Sequence, residues 1–142
     1  MAQTDDTRFN YPVKILVAWG EAISGNGQIR DWLIKNGYPE LGLFTFALRN
    51  KVDAVEWLMK NNFPHLVALI NGIEGNKQAL EWLEINGFSI LRTMALAADH
   101  NEKATQFLMQ QDKLLAMLAL KMGSVKDGIE NDNNDVHKIS PD

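Results

Sequence analysis

Apolar and polar residues fall along this chain in short amphipathic stretches, and the stretches recur. "DWLIKNGYP" begins at Asp31, "EWLMKNNFP" at Glu56 and "EWLEINGFS" at Glu81, so one phrase returns every 25 residues. Aligned on that period, the columns Ile29/Ala54/Ala79/Ala104, Trp32/Trp57/Trp82/Phe107, Leu33/Leu58/Leu83/Leu108 and Asn36/Asn61/Asn86/Gln111 stand at i, i+3, i+4 and i+7. That spacing is one stripe of an α-helix, and it predicts a trailing helix in each unit. The opposite face is polar, with acid-to-base pairs at i, i+4 in Asp31–Lys35 and Glu56–Lys60. The next column, Gly37/Asn62/Gly87/Asp112, predicts the helix end, where a left-handed residue is needed and Gly or Asn tolerates it best. Pro39 and Pro64 fit the first turn of the following helix, and Ser89 is expected as an N-cap in the same column.

A leading helix has its own columns: Leu16/Leu41/Leu66/Leu91, Trp19/Phe44/Leu69/Met94 and the small residues Ala22/Ala47/Gly72/Ala97. Turn segments at Ser24, Arg49, Glu74 and Asp99 join leading to trailing helix as antiparallel hairpins. The expected fold is therefore all-α: a short α-solenoid of about four 25-residue antiparallel helix pairs over residues 12–111, with a C-terminal capping helix from Lys113. Residues 1–11 are expected to be a flexible N-terminus, 12–123 the helical-repeat domain and 124–142 a disordered acidic tail. The tryptophan column lies beside the Leu column, so core packing is its expected role.

"VDAVEWLMKNN" and "GNKQALEWLEINGF" resemble the second helix and helix end of ankyrin repeats. Ala47 and Ala97 match that family's first-helix alanine, Gly25 and Gly75 its turn glycine, and Leu33, Leu58 and Leu83 with Gly37 and Gly87 its helix end. The Thr-Pro-Leu-His opening is absent, and a period of 25 rather than about 33 leaves no room for a projecting β-hairpin. The chain is thus similar to a hairpin-less, short-period ankyrin-like helical repeat. That resemblance implies a non-catalytic binding scaffold.

Composition narrows the chemistry. With no cysteine, thiolate nucleophiles, disulfides and zinc–thiolate sites are excluded. The net charge of −4 lies in the ends, because residues 11–123 carry 11 basic and 11 acidic side chains. A neutral body does not attract phosphate backbones, so no nucleic-acid partner is expected. No run approaches the roughly 20 apolar residues of a membrane span, and the polar first ten residues lack the pattern of a secretory signal. The expected location is cytoplasmic. His65, His100 and His137 have no second ligand at helical spacing, and no nucleophile elbow, P-loop or dinucleotide fingerprint occurs. Neither a metal, a cofactor nor a catalytic residue is expected.

Two surfaces remain as candidates for binding another protein. One is a strip on the leading helices, whose chemistry varies from repeat to repeat: Glu21, Phe46, Arg49, Val67, Asn71, Glu74, Arg92, Leu96 and Asp99. The other is the Leu- and Met-rich helix near residues 113–122, whose apolar positions exceed one stripe and fit a homodimer interface. An enzyme, or an enzyme regulator, with a pocket between helices is the competing class. It would need convergent polar groups in one cleft.

Overall fold

In the computed structural model, which describes residues 9–134, helices end where the backbone turns left-handed. Gly25, Gly37, Asn50, Asn62, Gly75, Gly87 and His100 all have positive φ, between 68° and 114°, at alternating intervals of 12 and 13 residues. They separate α1 (Val13–Ile23), α2 (Gly27–Lys35), α3 (Pro39–Leu48), α4 (Val52–Lys60), α5 (Pro64–Ile73), α6 (Lys77–Ile85), α7 (Ser89–Ala98) and α8 (Glu102–Gln111). A ninth helix, α9 (Lys113–Asn134), follows after Asp112 alone. Among the described residues there is no strand, and the fold is all-α.

Each left-handed residue closes a Schellman motif, in which the amide after it returns to the carbonyl five residues back. Examples are Tyr38 to Leu33 (2.9 Å), Phe63 to Leu58 (2.8 Å) and Phe88 to Leu83 (2.7 Å). The asparagine column adds to these ends: the side-chain amides of Asn36, Asn61 and Asn86 donate to the carbonyls of Trp32, Trp57 and Trp82. Helix starts are capped by residues that the 25-residue phrase does not contain. Asn26, Asn76 and Asn101 each accept the amide three residues on, at 2.9–3.1 Å. Pro39 and Pro64 open α3 and α5 as expected. Ser89 is not the cap of α7: it is the first helical residue, and Phe88 takes the cap position without a side-chain bond.

The core follows the leading-helix columns and the trailing leucines. Leu33, Leu58, Leu83 and Leu108 are fully buried, as are Trp19, Phe44, Leu69 and Met94. The aromatic column of the trailing helices departs from expectation. Trp32 is 48% exposed and Phe107 47%, and Trp57 and Trp82 are half-buried. After Trp82 the interior place is taken by the aromatic six residues later, Phe88, whereas Phe63 after Trp57 is itself half-buried. Trp57 stacks on Phe63 and Trp82 on Phe88, with ring centres 6.1 and 6.0 Å apart, and of these four rings Phe88 alone is fully inside. The column is an edge of the core, not its centre.

Leading helices touch one another in the order α1, α3, α5, α7, and each trailing helix touches the helices before and after it. The last helix does more than cap the final pair. It packs on α7 and α8 and also on α1 and α3, joining the two ends of the chain. At 22 residues it is about 33 Å long, enough to pass the ends of several helices. Gly20 admits Leu118, and Gly123 lies against the carbonyl of Ala98, where any Cβ would collide with backbone. Residues 124–134, expected to begin a disordered tail, are helical. The rest of that expected tail, 135–142, and residues 1–8 of the N-terminal segment lie outside the described residues.

Candidate functional site

The polar half of α9 crosses the C-terminal ends of the leading helices, where unpaired carbonyls concentrate negative potential. Lys121 Nζ donates to Ser24 Oγ after α1, and Lys126 Nζ to Asn50 Oδ1 after α3, both at 2.9 Å. Lys126 also pairs with Glu74 after α5, and Asp127 meets His100 after α7 at 3.0 Å. The hydrogen bond that His100 donates to Asp127, helped by the charge of that carboxylate, raises the pKa of His100 above the ordinary histidine value. Between these groups runs a crevice of about 300 Å³ lined by Glu74, Asp99, Lys126, Asp127 and Glu130 among others. Lys126 answers Glu74 and His100 answers Asp127, while Asp99 and Glu130 leave the lining with an excess of acid.

That arrangement divides the predicted strip. Glu74 and Asp99 face α9 and line the crevice. Val67 and Leu96 are half-buried and pack against the core, so they present little surface. Arg92 is half-buried, 3.9 Å from Glu84 of α6. Glu21 and Asn71 are exposed. The nine residues therefore do not make one bare strip. Phe46 and Arg49 remain, both half-buried, and Phe46 lines a cleft.

The cleft opens between α3 and α4, has a volume of about 480 Å³, and is lined by Leu43, Phe46, Lys51, Asp53, Ala54 and Trp57. Its size falls within the usual range for ligand pockets. Leu43 and Phe46 stand one turn apart on α3, and Ala54 and Trp57 one turn apart on α4, so two short apolar rows face each other. Trp57 is braced from behind by its stack on Phe63. On the other side α2 approaches closely because Gly42 has no side chain: a Cβ there would sit 2.9 Å from the Arg30 carbonyl. This approach lets the Arg30 guanidinium lie over the Phe46 ring, 4.5 Å from its centre.

Arg49 follows Phe46 by less than one turn. Its guanidinium donates to the carbonyls of Thr45 (3.3 Å) and Ile23 (2.9 Å), tying α3 to the end of α1. Burial lowers its pKa, and the nearby charge of Arg30 lowers it further. Arg30 pairs with its own neighbour Asp31 at 3.1 Å, whereas no carboxylate among the described residues lies within ion-pair distance of Arg49 or Lys51. The charged side chains that line the cleft itself are Lys51 and Asp53, one of each sign.

Arg30, Leu43, Lys51, Asp53, Ala54 and Trp57 were absent from the predicted strip. Trp57 carried a signal, an aromatic recurring in register, but its place beside the Leu column made it look like core. Elsewhere the chemistry is structural. His65 is buried and stacked on Phe88 at 4.7 Å. The Tyr11 hydroxyl donates to Glu40 at 2.7 Å, and burial first, then that bond, raises its pKa well above the usual range. Among the described residues no group of three or more His, Cys, Asp or Glu could hold a metal ion, and no helix is long and apolar enough to cross a membrane. Compared with models of known protein families, with curated proteins and with solved structures, the chain matches none, and the apolar cleft between α3 and α4 is its candidate functional site.

Proposed function

We propose that the chain is a non-catalytic protein-interaction module that captures its partner at the Phe46–Trp57 cleft. In this reading the helices form a short solenoid of antiparallel pairs, an ankyrin-like helical repeat without hairpins, and α9 ties its two ends together. The observation that carries the proposal is the pairing of Phe46 with Trp57 across a preformed apolar cleft. Clefts of this kind, with large aromatics held in place beforehand, accept an anchoring side chain with little reorganisation. Catalysis would require acids, bases or nucleophiles converging in the cleft. The titratable side chains lining it are Lys51 and Asp53, and both are exposed.

Affinity capture from source lysate tests the proposal, with the wild-type chain and a Phe46→Ser variant that melts at a comparable temperature. A specific partner held by the first and lost by the second is expected. Equal retention by both would move the working surface elsewhere. Self-association through α9 is the second reading. Met117 is 52% exposed and Leu120 47%, one turn apart beside a shallow crevice that also includes Val125. Light scattering with wild type and Met117→Asp separates the readings, since a dimer built on that face would dissociate.

A further inference from the structure

The two halves of α9 are held in different ways. Its first half is seated by apolar packing, with Ala116, Leu118, Ala119 and Met122 buried. Between Ser124 and Asn131 no side chain is buried. Lys126 is tied to Asn50 and Glu74. Past it the helix is held by the His100–Asp127 bond, 3.0 Å long, and by Ile129, half-buried in the lining of the crevice of about 300 Å³. We infer that residues 127–134 are a pH-responsive strap, docked over that crevice while His100 is protonated and released when it is neutral. This device is independent of the Phe46–Trp57 cleft.

The local field makes His100 decisive. The crevice lies at the C-terminal ends of α5 and α7, where helix dipoles carry partial negative charge. Into that field α9 brings two carboxylates, Asp127 and Glu130, beside Glu74 and Asp99. Glu102 of α8 adds another acid, in the shallow crevice that it lines with His100. Against these acids stand Lys126 and, when protonated, His100. Lys126 is already paired with Glu74, so the proton on His100 decides whether Asp127 is attracted or repelled. The bond to Asp127 and then its charge, with Asp99 and Glu130 adding less, raise the His100 pKa. Docking is therefore fully favoured below about pH 6.5 and fades as pH rises through the raised value.

Release also melts the segment. Residues 127–134 make about two turns, too short for a stable helix in water. Gly128 weakens them further, and a Cβ built there meets nothing within 4 Å, so no packing compensates. The ties of Lys126 mark where melting stops.

Amide hydrogen exchange of the full chain at pH 5.5 and 8.5, with each rate divided by its intrinsic rate at that pH, tests the inference. Protection of 127–134 should fall by roughly 2- to 5-fold on going to pH 8.5, the scale of an exposed charged pair, while 114–123 hold theirs. His100→Asn, suited to the left-handed backbone at that position (φ 70°), should show the low protection at both pH values. Asp127→Asn should do the same without touching the turn. Protection of 127–134 that does not change with pH would overturn the inference. So would a fall shared by 114–123, or one that persists in both variants and so belongs to another titrating group.

Discussion

Two glycines in the same helix should respond in opposite directions to the same substitution. At Gly123 an added Cβ would press into the carbonyl oxygen of Ala98 in α7 and lie 3.2 Å from the carbon atoms of that backbone. No rotamer change can relieve a clash with backbone, so α9 must move off α7. Overpacking of this unyielding kind costs about 2–3 kcal/mol, the upper part of the usual range. Alanine's better helix propensity returns about 1 kcal/mol, leaving Gly123→Ala about 1–2 kcal/mol less stable. At Gly128 nothing lies within 4 Å of the added atom, so only the propensity gain remains, about 0.5–1 kcal/mol. For a domain of this size each kcal/mol moves the midpoint by roughly 3–5 °C. Thermal unfolding followed by far-ultraviolet circular dichroism, with urea titration as the second probe, should separate the two variants by about 5–15 °C. If both shifted alike, or Gly123→Ala were the more stable, α9 would not be seated on α7 as described.

Leu33→Ala should lower stability by about 2–5 kcal/mol, while Trp32→Ala, whose side chain is 48% exposed, should lower it by less than half as much in the same urea titration. Deleting residues 126–142 should lower the melting temperature, because it removes the contacts of Lys126 with Asn50 and Glu74 and of Asp127 with His100. An unchanged midpoint would mean that these contacts are not held in solution. The His100–Asp127 pair should make stability pH-dependent. The folded pKa of His100 is raised above its ordinary 6.5, so the contribution is fully present below that value and disappears as pH rises through the raised one. Asp127→Asn should therefore lower the melting temperature at about pH 5.5 and have little effect at about pH 9, and equal effects at both would contradict the pairing.

Local periodicity made the helices legible. Leu33, Leu58, Leu83 and Leu108 lie on one stripe and are buried, and the left-handed Gly37, Asn62 and Gly87 end the trailing helices where expected. The stripe alone could not say which edge of it faces water. At Trp82 that choice was made by Phe88, whose buried ring stacks inside the indole, while Trp57 and Phe63 share the edge, both half-buried. The path of α9 was hidden for a different reason. Beyond Gly123 its sequence is polar and reads as a tail, and it is held by pairs such as Lys121–Ser24 and Lys126–Asn50, 97 and 76 residues apart. No local pattern carries such separations. The cleft suffered likewise: the period pointed to Phe46, but Trp57 faces it only because α4 folds back on α3, and Arg30 lies over its ring only because Gly42 lets α2 close in.

Hydrogen exchange of the chain, free and saturated with its captured partner, tests the central claim most directly. Slowed exchange confined to the end of α3 and the start of α4, residues 43–57, with a smaller effect near Arg30, is the outcome this account expects. Protection centred on the Met117–Val125 face of α9, with 43–57 unchanged, would contradict it.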